Sequence, residues 1–148
     1  MKFTRANLLD GIDSALAADA AARAEKAVIV ARVTRERDAQ WDALAPKWKA
    51  YRDGLTKVLK SGKPITSSTQ PKMPAHFDDS SYTLGRTISD ATEHLRGRFT
   101  DREELSALKL ALESVDEEFV TERQLSIMGF GGSAVAKIFR AATKVKGA

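Results

Sequence analysis

Cysteine is absent from this chain, which excludes disulfides, thiolate metal sites and a cysteine nucleophile. Histidine occurs only at His76 and His94, and neither stands in a spacing that makes a zinc site or a catalytic triad. Proline is scarce too: Pro64, Pro71 and Pro74 fall together, and Pro46 alone interrupts a helix-compatible stretch. The longest apolar run, Ala27 to Ala31, falls far short of the roughly 20 residues that a membrane-spanning helix needs. Near the N-terminus Asp10, Asp13, Asp19, Arg23, Glu25 and Lys26 break up the apolar residues, unlike a signal peptide. These absences lead to the expectation of a cytoplasmic, non-enzymatic protein without cofactor or metal.

What remains is the make-up of an ordinary folded domain. Of the 148 residues, 43% are hydrophobic and 30% charged, enough apolar material for a core in a chain of single-domain size. The net charge of +4 is unevenly placed. Residues 1–63 carry a net +5, residues 100–122 a net −6, and residues 123–148 five cations and no acid. Such blocks either pair with one another or face an anionic partner.

From Thr4, an N-cap candidate, to about Lys60 the composition is Ala, Leu, Arg, Lys, Glu and Asp, which favours a long helix. Within it Trp41, Leu44, Trp48, Tyr51, Leu55 and Val58 recur at alternating intervals of three and four. That spacing lays six side chains on one helical face, a seam that meets another helix. Pro46 removes a backbone donor inside this seam, so a kink is expected there, and Gly62 suits the end of the helix. Residues 64–84 read as an irregular loop, with a hairpin around Gln70 and Pro71 as one option.

Helical spacing resumes near Thr87 and stops at Gly97. Thr100 with Glu103 makes a capping-box pattern, ahead of a second seam of Leu105, Leu108, Leu112, Val115 and Phe119. Thr121 with Gln124 repeats the pattern, and Val120 with Leu125 supplies a hydrophobic staple. Gly129, Gly131 and Gly132 then break the chain before a last, basic helix capped by Ser133. The expected fold is all-α, with about five helices: a long kinked N-terminal helix packed on a C-terminal helical bundle, joined by one long proline-containing loop. Its expected divisions are an arm over 1–62, a linker over 63–86 and a bundle over 87–148, together one folded unit.

Three groups of residues bear on function. The Trp41 to Val58 seam, aromatic and set among cations, is the first candidate for meeting a protein partner or a second copy. The tail has the outline of a helix-turn-helix in which Lys137, Arg140, Lys144 and Lys146 reach phosphate, while Gly131, Gly132 and Ser133 offer backbone donors to an anion or nucleotide. Against DNA reading, no Asn or Gln lies on the last helix. Glu113, Asp116 and Glu117 would share a helix face, where solvated acids belong more cheaply than Mg²⁺ ligands. The combined expectation is a self-associating interaction or assembly protein, suited to an accessory role of the kind phages encode, with nucleic-acid binding as the alternative.

Overall fold

The structure is a computed structural model that describes residues 2–131 and 136–138. The chain is mostly helical, as expected, but it also holds a small sheet. Strand β1 (Lys2–Thr4) leads into helix α1 (Arg5–Lys60), followed by α2 (Ser81–Ala91), a 3₁₀ turn (Glu93–Leu95), α3 (Arg102–Glu113), strand β2 (Phe119–Thr121) and α4 (Glu122–Ile127). Contacts group residues 1–27 with 94–148 in one unit and 28–93 in another; α1 contributes to both.

The first unit has a closed core. Leu8 and Ile12 of α1 meet Leu105, Leu108 and Leu112 of α3, with Phe3, Val120, Leu125 and Ile138 completing the cluster. Thr4 starts α1 by accepting the Asn7 amide at 3.2 Å, which satisfies one of the free donors of the first turn. The unexpected sheet is antiparallel, Phe3 opposite Val120, with both side chains buried. The Arg5 amide extends this tie to the Glu118 carbonyl at 2.9 Å, and the Arg5 guanidinium donates to the carbonyl of Val115.

These pairings explain where the second seam departs from expectation. Helix α3 ends at Glu113 with Ser114 as its C-cap, and Phe119 belongs to a strand instead of the helical face. Competition with β1 wins over a stretch containing β-branched Val115 and Val120, residues that fit a pleated surface. At the other end of α3 the cap sits one residue later than Thr100: Asp101 accepts the Glu104 amide at 3.0 Å. The Thr100 amide is engaged elsewhere, donating to Asp19 Oδ1 at 2.9 Å.

Asp19 is the buried exception in this core, with no exposed surface. It cross-links the unit. Its second oxygen takes Arg23 at 2.8 Å and lies 3.6 Å from Arg102, so each side of the carboxylate has a partner. The hydrogen bond from Arg23 does most to hold the carboxyl below its ordinary range, helped by the Thr100 amide and the two guanidinium charges, while burial opposes them.

Both ends of α4 follow their sequence signals closely. Thr121 and Gln124 form the expected reciprocal capping box. Gly129, at φ +90°, lets the chain reverse; its amide reaches the Ser126 carbonyl at 3.0 Å and the Phe130 amide reaches Leu125 at 2.9 Å. This double bond pattern is a Schellman closure, and Phe130 packs back on the core beside Leu125.

The second unit is built differently. Here α1 continues through Pro46 to Lys60 as one helix, and Gly62 at φ +72° turns the chain back. The following strap, residues 63–80, has no strands, in place of the suggested hairpin. Its Thr66–Gln70 corner is held by its own bonds, among them the Gln70 amide to Thr66 at 2.8 Å and Thr69 Oγ1 to the Pro64 carbonyl at 2.8 Å. Helix α2 begins at Ser81, earlier than expected, because Ser80 caps it and Asp78 accepts both the Ser80 amide at 2.9 Å and Thr83 Oγ1 at 2.6 Å. Those bonds, with Thr83 first, push the Asp78 carboxyl down to about 2.

Candidate interaction site

The seam on the second half of α1 is where the strap lies. Gln70 Nε2 donates to the Tyr51 hydroxyl at 3.1 Å, and Trp48 Nε1 donates to the Ala75 carbonyl at 3.2 Å. Phe77 packs on Trp41 with ring centroids 5.3 Å apart, and Arg37 Nη2 reaches the Ser80 carbonyl at 3.5 Å. Positions thus pair in reverse order, 51 with 70 and 37 with 80, so the strap runs antiparallel to the helix. Gly54 allows the closest approach: a Cβ there would stand 2.7 Å from Pro71 Cγ.

The strap covers the seam only in part. Leu44, Trp48, Tyr51, Leu55 and Val58 are half-buried and Trp41 is exposed. Indeed no residue from Thr34 to His94 is buried. Helix α2 shares this condition, with Leu84, Ile88 and Ala91 half-buried along one face. Leu59, Ile65, Met73 and Tyr82 of the same unit are exposed apolar side chains.

Open clefts follow from this incomplete cover, among them one of about 330 Å³ lined by Arg37, Asp38, Trp41, Phe77 and Asp79. A groove of about 610 Å³ runs between helix and strap, lined by Leu44, Ala50, Tyr51, Pro71 and Met73 with Lys47 and Lys72 among them. Beside it, a cleft of about 330 Å³ is lined by Trp41, Trp48, Arg52, His76 and Phe77. The aromatic floor and cationic edges suit an occupant that is apolar in the middle and acidic at the rim.

The other sequence-based candidates are placed less fully. Lys137 is exposed and Gly131 ends the described turn, also exposed. Gly132, Ser133, Arg140, Lys144 and Lys146 lie outside the described residues, as does most of the last helix. The amides of Gly129 and Phe130 are committed to α4 carbonyls, which leaves fewer donors at that turn for an anion. The acids Glu113, Asp116 and Glu117 do not share a helix face, because α3 stops at Glu113. Among the described residues no group of three His, Asp or Glu side chains has the arrangement of a metal site. His94 Nε2 lies 2.6 Å from Glu25 Oε1.

Asp19 was missed from the sequence because an isolated acid in a charged helix reads as solvated. The only available hint was its place between Ile12 and Ala22 at intervals of seven and three, on the buried face. The strap's docking had no local signal beyond its prolines and the aromatics that receive it.

Comparison with protein families, with curated proteins and with solved structures finds no match. Among the described residues no helix is long and apolar enough to cross a membrane.

Proposed function

We propose that this chain is a helical interaction and assembly protein that self-associates through the Trp41 to Val58 seam of α1. One observation supports this reading above the others: an aromatic-rich stretch from Thr34 to His94 buries no residue of its own. Long helices gain little stability from propensity alone and depend on packing of an apolar face. A single strap held by a few side-chain bonds leaves Trp41, Leu59, Ile65 and Met73 in contact with water, at roughly 25 cal/mol for each Å² of apolar surface not yet buried. Covering them in an assembly recovers that free energy.

Sedimentation velocity over a range of protein concentrations tests the reading. The expected result is a mass that rises with concentration, and a shift to monomer on Leu55→Arg, which places a charge in the seam. A chain that stays monomeric at every concentration removes the proposal.

A further inference from the structure

The end of α1 and the turn after it are strongly cationic: residues 43–63 hold six cations and the single acid Asp53. Among the described residues Lys47, Lys49, Arg52, Lys57 and Lys60 form no ion pair. Charge of the other sign gathers in the first unit, where residues 113–122 carry five acids and no cation. Lys109 approaches Glu113 at 4.0 Å. Asp116, Glu117 and Glu118 are exposed and have no described cation as an ion-pair partner.

The acidic stretch also presents apolar surface. Phe119 is 42% exposed, with the Lys2 ammonium 4.3 Å from its ring, and Ile127 is 76% exposed. Ile127 lines a hollow of about 160 Å³ together with Val115, Glu117, Val120 and Met128. This is the combination the groove beside Tyr51 lacks: apolar side chains for Leu44 and Met73, and carboxylates for Lys47 and Lys72.

We infer that the groove between α1 and the strap receives residues 115–127 of a second copy, an inference that rests on the self-association proposed above and names its contact. Two arms meeting face to face would bring cation against cation, whereas arm against acidic segment brings opposite charges together. The contact is heterologous, since each copy offers a different surface, so it propagates into a ring or a filament and does not stop at a two-fold dimer. Nucleic acid fits the cations but makes no use of the apolar lining.

Charge reversal with rescue is the test, read by sedimentation velocity on the full chain at low and high salt. Lys47→Glu with Lys72→Glu, and separately Glu117→Lys with Glu118→Lys, are each expected to weaken association by at least about a hundredfold. The chain carrying all four reversals is expected to assemble again, because its two surfaces are complementary once more. All substituted side chains are exposed, and circular dichroism checks that each variant retains its helix content. A four-fold variant no better than either pair overturns the inference. If wild type assembles and neither pair changes it, the inference fails while self-association stands; a wild-type chain that never assembles removes both. A monomeric chain that binds a short DNA duplex through Lys47 and Lys72 assigns the groove to nucleic acid and likewise overturns it.

Discussion

Asp19 shows how one polar side chain organises the first unit. Its two oxygens join successive turns of α1 to the residues that open α3, a cross-link that an apolar side chain cannot make. Asp19→Ala is expected to cost about 1–3 kcal/mol, the range for leaving a buried donor such as the Thr100 amide unpaired, as measured by urea unfolding. The pH dependence carries the sign. Because the folded carboxyl titrates below its ordinary value, its charge stabilises the fold fully above the unfolded value of about 3.9. That contribution fades as pH falls toward the folded value. Thermal melts from pH 7 downward should therefore show Asp19→Asn losing less stability in acid than wild type; parallel curves would contradict this. Only its spacing from Ile12 and Ala22 sets Asp19 apart in the sequence from exposed Asp10 and Asp13, since its partner Thr100 lies 81 residues away.

At the scale of elements, legibility followed the range of the interaction. The Thr121–Gln124 box and the Gly129 closure involve neighbours within a few residues, and both were readable. The Thr100–Glu103 pattern was also local, yet the tertiary bond from Thr100 to Asp19 moved the cap to Asp101. Strands β1 and β2 were not readable at all: each has three residues, and their pairing joins positions more than a hundred residues apart, such as Phe3 and Val120. The strap illustrates the same limit, for its irregular backbone is ordered by Trp48 and Tyr51 and not by any pattern of its own. Gly54→Ala separates these effects. Alanine favours helix by about 0.8–1.0 kcal/mol over glycine, but here its Cβ meets Pro71. The expected outcome is unchanged or higher helix content with a displaced strap, seen as a red shift of Trp48 emission. Unaltered emission would mean that the strap is not held at Gly54.

For the whole molecule, the contrast between the two units matters most. The described residues of the first unit enclose a leucine-rich cluster in which Leu105, Leu108 and Leu112 are buried, while residues 34–94 bury nothing. The sequence expectation was a long N-terminal helix packed on a C-terminal bundle, and it did not separate a closed core from an open face, because seam spacing reports that a face is apolar and not whether it is covered. The Trp41 to Val58 face turned out to be half-covered by its own strap, which narrows the proposed contact to the groove and the aromatic edge. Local stability should differ accordingly, since segments with few buried contacts open at lower free energy than a closed core.

Hydrogen exchange read by mass spectrometry at two protein concentrations tests this most directly. Amides of α1 between Arg35 and Leu59 are expected to exchange fast in dilute protein and to gain protection as concentration rises, while those of Leu105 to Leu112 stay equally protected at both. Full protection of the Arg35 to Leu59 amides at the lowest concentration would show an arm complete in itself, and would contradict the proposal that it is finished by assembly.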